Sequence, residues 1–110
     1  MPVKIQIGEE IISAYLSGEI DHHTAQTVRR VIDGTAERRK PKLLVLDFTG
    51  VTFMDSSGIG VIIGRYKQIR ARGGKTLIIR AKPQVDKLLE LSGIKKIIET
   101  SKGGRQWKTI

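Results

Sequence analysis

Apolar positions recur along this chain with two periods, one near two and one near three and a half, and the alternation between them sets out its elements. Val3-Lys-Ile-Gln-Ile7 alternates apolar and polar, Ile12-Ser-Ala-Tyr-Leu16 does so more loosely, and Gly8-Glu9-Glu10 lies between them. Two alternating runs around a turn signal predict an antiparallel hairpin. Gly18-Glu19-Ile20-Asp21 closes the second strand, and Asp21 is a good N-cap for a helix starting near His22 or His23. Ala25, Val28, Val31, Ile32 and Ala36 give that helix a buried stripe, Arg29, Arg30, Arg38 and Arg39 fall on its wet side, and Lys40-Pro41 stops it.

The pattern is densest between Leu43 and Gly73. Leu43-Leu44-Val45-Leu46 is a continuous apolar run, which suits a strand covered on both faces as in a parallel sheet. Asp47 to Asp55 reads as a polar connection ending in Asp55-Ser56-Ser57-Gly58. Beyond it Ile59, Ile62, Ile63, Tyr66 and Ile69 recur at i, i+3, i+4, i+7 and i+10, one apolar stripe of a helix that runs to Gly73-Gly74. Thr76-Leu77-Ile78-Ile79 predicts another short strand. Pro83 opens a helix through Val85, Leu88, Leu89 and Leu91 that ends at Ser92-Gly93, and Ile94, Ile97 and Ile98 suggest a last short apolar element. From Ser101 to Ile110 there is no period, so these residues are expected to form a loose tail, with Trp107 able to dock back. Helices alternating with apolar strands predict a single α/β domain over residues 1–110, with a mixed sheet whose antiparallel member is the N-terminal hairpin.

The start of the central helix carries the candidate chemistry. A first helical turn leaves backbone N–H groups unpaired at the positive end of the macrodipole, where an anion is favoured. Ser57 fits as the N-cap, which leaves Ser56 just outside with a free hydroxyl. On residue type alone, both serines are capping and turn residues. Gly58, Gly60 and Gly64 fall inside the same helix, where each glycine costs about 1 kcal/mol against alanine, so close packing or close approach of a partner must compensate. Their spacing is not a dinucleotide fingerprint, because the third glycine comes one place late. Gly74-Lys75-Thr76 ends like a phosphate loop, but Ile69 stands where that motif needs its first glycine. His22 and His23 are adjacent and diverge on a helix, with no cluster to complete a metal site, and no G-x-S-x-G elbow supports a serine nucleophile.

Composition changes this picture in two ways. The 110 residues contain no cysteine and no apolar run near the length of a membrane span, which predicts a soluble cytoplasmic domain without disulfides or thiolate metal sites. The net charge of +9 raises a second class of function, nucleic-acid binding. Arg65, Lys67, Arg70, Arg72, Lys75, Arg80 and Lys82 form a run without an acid, whereas Glu9, Glu10, Glu19 and Asp21 oppose Lys4 alone near the N-terminus. Against that class, only Tyr66 interleaves with the basic run, and it sits on the apolar stripe.

Phe53-Met54-Asp55-Ser56-Ser57-Gly58-Ile59-Gly60-Val61 resembles, nearly residue for residue, the phosphorylation segment of the bacterial anti-sigma factor antagonists, members of the STAS family. Gly18-Glu19-Ile20-Asp21-His22-His23-Thr24-Ala25 is similar to the segment before the first helix of the family's sporulation members, Gly64-Arg65-Tyr66-Lys67-Gln68-Ile69 to their second helix, and Leu91-Ser92-Gly93-Ile94 to a later Ser-Gly turn. The resemblance implies a mixed sheet of four or five strands packed against helices. It implies Ser56 as a phosphoacceptor and a partner surface drawn from Asp21, Asp55, Ser57, Gly58, Gly60, Val61 and Gly64. The implied partners are a serine kinase that is also an anti-sigma factor and brings its own ATP, and a phosphatase that resets the serine. No cofactor, metal or catalysis by this chain is expected. The tail lacks the apolar pattern of the family's closing helix, and the charge of +9 is unusually basic for it.

Overall fold

A computed structural model describes residues 1–102. Its order is β1 (Val3–Ile7), β2 (Ile11–Ile20), α1 (His22–Arg39), β3 (Leu43–Met54), α2 (Ser56–Ala71), β4 (Lys75–Ile79), α3 (Pro83–Leu91), a 3-10 turn (Ile94–Lys96) and β5 (Glu99–Ser101). The five strands form one sheet in sequence order. β1 and β2 are the predicted antiparallel hairpin, with Val3 opposite Leu16 and Ile7 opposite Ile12. Every later pair is parallel and is joined by a helical crossover, so the expected mixed α/β sheet holds.

The core follows from the two periodicities. Ala25, Val28, Ile32 and Ala36 of α1 pack with Val61, Ile62 and Ile69 of α2 over Ile12, Ala14, Leu44, Leu46 and Phe48 of the sheet. Removing each large aliphatic side chain from water contributes about 1.5–3 kcal/mol. α1 ends at Arg39, where Lys40 takes a left-handed conformation and returns its N–H to the Ala36 carbonyl at 2.7 Å.

Three expectations need correction. The polar stretch after Leu46 is not a connection, because β3 continues to Met54. Asp47 is buried within the strand, where Oδ1 accepts from the Thr49 N–H at 2.9 Å and Oδ2 meets Arg80 Nη1 at 3.0 Å. A buried carboxylate with these partners is tolerated in a strand, and polarity alone wrongly marked it as a turn. Leu91 is 76% exposed and does not extend the buried stripe of α3. A polar strand, Glu99–Ser101, follows the Ile94–Ile98 stretch and is held by pairing with Leu77, Ile78 and Ile79, so Ser101 belongs to the sheet and not to the expected tail. Trp107 lies outside the described residues.

Candidate functional site

Parallel pairing of β2 and β3 sets Ile20 beside Met54 at the ends of both strands. Each strand passes straight into a helix through one aspartate, Asp21 into α1 and Asp55 into α2. The Asp55 N–H donates to the Ile20 carbonyl at 3.3 Å, which ties the two helix starts together. The sheet register therefore brings together two segments separated by some thirty positions in the sequence.

Asp21 caps α1. Its Oδ1 accepts from the backbone N–H groups of His23 at 2.9 Å and Thr24 at 3.0 Å, and the Asp21 N–H donates to Thr24 Oγ1 at 2.9 Å. This reciprocal box satisfies the first-turn donors. The Thr24 N–H, with smaller help from His23 and the Thr24 hydroxyl, holds the Asp21 carboxyl below its usual range against the opposing effect of desolvation.

At α2 the cap is Asp55 and not Ser57. Asp55 Oδ1 accepts from the Ser57 N–H at 2.8 Å, and the Gly58 N–H donates to the Asp55 carbonyl at 3.0 Å. Aspartate and serine cap about equally well, so residue type did not separate three consecutive candidates. Ser56 becomes the first residue of the helix and is exposed, whereas Ser57 is half-buried. Neither hydroxyl is engaged in a hydrogen bond among the described residues, so exposure distinguishes the two serines and capping does not.

The glycines divide by role. A Cβ on Gly58 would lie 2.3 Å from Met54 Cγ and 2.4 Å from its sulfur, so this glycine allows α2 to sit against the end of β3. A Cβ on Gly60 or Gly64 would meet nothing within 4 Å. Gly58 and Val61 thus lie beneath the surface, and Gly60 and Gly64 leave it low. Phe53, next to this edge, is 49% exposed and gives it an apolar spot that the sequence reading did not single out. No alternation marked it, because Thr52 and Phe53 are both exposed between the buried Val51 and Met54.

The basic run is not wholly a free surface. Arg65 is 5% exposed and its Nε lies 2.7 Å from Asp33 Oδ1 on α1. Arg72 Nη1 donates to the Ala36 carbonyl at 3.0 Å, and Arg80 serves Asp47. Three of the seven cations therefore hold the fold together. Among the described residues no group of three His, Asp or Glu side chains gathers as a metal site, and no helix is long and apolar enough to cross a membrane.

The sequence profile of the STAS domain matches residues 3–105. The chain belongs to the STAS family. This STAS domain is 40% identical over 98 residues to the "Anti-sigma F factor antagonist" of Paenibacillus polymyxa, covering 89% of this chain and 84% of that one. It is 31% identical over 102 residues to an "Anti-sigma-B factor antagonist" of Listeria monocytogenes, covering 90% and 89%. The solved structure of the anti-sigma factor antagonist SpoIIAA in its unphosphorylated form superposes with a TM-score of 0.83 at 25% identity, over 98% of this chain and 97% of that one. The five-stranded mixed sheet with its three helices is the STAS fold.

Proposed function

We propose that this STAS domain is an anti-sigma factor antagonist, a binding switch in the cytoplasm and not an enzyme. Unphosphorylated, it docks on a kinase that is also an anti-sigma factor and so frees the sigma factor. The kinase then transfers the γ-phosphoryl group of its own ATP to Ser56: the Ser56 Oγ–P bond forms, the bond to ADP breaks, and the hydroxyl proton leaves to a base on the kinase. A phosphatase reverses the step by hydrolysis. Asp21, Asp55, Ser56, Ser57, Gly60 and Gly64 form the docking surface, with Gly58 and Val61 supporting it from below. The relative at 40% identity is named for the anti-sigma F factor, which favours a sporulation-type sigma factor as the beneficiary.

The observation that carries this reading is the exposed Ser56 at the first position of α2, beside a second capped helix start. Nucleic-acid binding is not favoured, because Arg65, Arg72 and Arg80 are engaged by Asp33, the Ala36 carbonyl and Asp47. Incubation with an anti-sigma kinase and ATP, followed by mass spectrometry of fragments, should place one phosphate on Ser56 and none on the Ser56→Ala protein. Stoichiometric phosphate on Ser57 of the unmutated protein would overturn the assignment.

A further inference from the structure

Between the first turns of α1 and α2 runs an open groove of about 520 Å³, lined by His22, Gln26 and Arg29 from one helix and by Ser57, Gly60 and Arg65 from the other. Its position follows from the sequence. His22, Gln26 and Arg29 share one face of α1 at spacings of four and three, and Ser57, Gly60 and Arg65 share one side of α2. Long helical side chains lean toward the helix N-terminus, so Arg65 leans back along α2 over the turn of Val61 and Ile62.

The charges in the groove do not balance. Arg65 is buried, and its one ion-pair partner among the described residues is Asp33. The Nε and Oδ1 atoms are 2.7 Å apart, yet neither makes an aligned hydrogen bond, and the buried Nη1 has no hydrogen-bond partner among the described residues. Arg29 forms no ion pair among the described residues, and its charge opposes that of Arg65. Two guanidinium groups thus lie near each other, and only Arg65 is paired with a carboxylate. A buried N–H left without an acceptor is costly, more so on a charged group, and an acceptor that reached it would recover that cost. Every polar side chain lining the groove can donate: guanidinium, amide, hydroxyl and imidazole.

We propose that this groove receives a carboxylate, an Asp or Glu side chain of the protein that docks on the helix starts. The assignment rests on the docking role argued above, because Ser57 and Gly60 belong both to the groove and to that surface. A protein carrying +9 meets an acidic partner with long-range attraction as well. The bare edge at Gly60 leaves the entrance clear for an incoming side chain.

Two arms test this on the full chain. In the first, acetate replaces chloride at constant ionic strength while amide resonances of Ser57 and Gly60 and the Arg65 Nε–H are followed. Saturable shifts are expected, with affinity lowered at least threefold in Arg29→Gln. In the second, affinity for the anti-sigma kinase is measured for Arg29→Glu and for Arg38→Glu, an equal charge change on the same helix outside the groove. Both arginines are exposed, so both variants should melt within a few degrees of the parent. The expected result is at least a tenfold loss for Arg29→Glu and less than threefold for Arg38→Glu. Equal losses would reduce the effect to net charge and overturn the proposal. Acetate binding with kinase affinity unchanged in Arg29→Glu would make the groove a site for free oxyanions and overturn the partner assignment. Absence of saturable acetate shifts overturns the site itself. Failure of the parent protein to bind any anti-sigma kinase defeats the docking role and the partner assignment with it, while the acetate arm still decides whether the groove takes a carboxylate.

Discussion

A hydroxyl at the first position of a helix projects into solvent, while the next residue turns toward the neighbouring helix. Ser56 and Ser57 occupy these two places, and the proposed kinase would act on the first. Asp55, which holds the Ser57 N–H, is the residue whose loss should loosen this start. Asp55→Ala should cost about 1 kcal/mol of stability, read by denaturant unfolding, whereas Asp55→Asn should cost little, because asparagine caps as well. Asp21 acts through charge too. Its folded carboxyl titrates below the ordinary value of 3.8, so folding favours the ionised form. That contribution is complete above about pH 4 and is lost as pH falls through the lowered folded value. Asp21→Asn keeps a cap but does not titrate, so the Tm advantage of the parent over Asp21→Asn should shrink below pH 4 and stay constant above it. At this scale the sequence showed the candidates but not their duties. Asp55, Ser56 and Ser57 are all capping types, and only the backbone path selects one; Arg65 looked like any surface arginine until α1 brought Asp33 against it.

Among elements, α2 carries the strongest contrast. Its glycines cost helix stability for different reasons, and alanine substitution separates them. Gly58→Ala forces a methyl group into Met54 and should destabilise by about 1–3 kcal/mol, while Gly60→Ala meets open space and should stabilise by up to about 1 kcal/mol. If Gly60 is kept for the approach of a partner, the more stable Gly60→Ala protein should bind the kinase more weakly. A gain in stability without loss of binding would remove Gly60 from the docking surface. The helices were legible because their stripes are long and periodic and their ends are marked by Asp21, Lys40-Pro41 and Ser92-Gly93. β3 was legible only to Leu46, since the buried Asp47 interrupts its apolar run, and β5 has no apolar signal and exists through its pairing with β4.

For the molecule as a whole, the register of two parallel strands decides which residues meet. Sequence spacing placed Asp21 and Ser56 in separate segments; the Ile20–Met54 pairing makes them neighbours at the C-terminal ends of two inner strands. Phosphate on Ser56 adds about −1.5 to −2 charges at a helix start whose dipole favours it, while the nearby Asp55 opposes it. Both groups stay hydrated at these strand ends and are screened by salt, so the fold should be little disturbed and Tm should move by only a few degrees. Docking is different, because a bulky hydrated dianion must lose water against the partner's surface. The decisive measurement is a calorimetric titration of the anti-sigma kinase with the unphosphorylated and the Ser56-phosphorylated domain. The account predicts binding at least tenfold weaker for the phosphorylated form, about 1.4 kcal/mol or more; equal affinity of the two forms would contradict it.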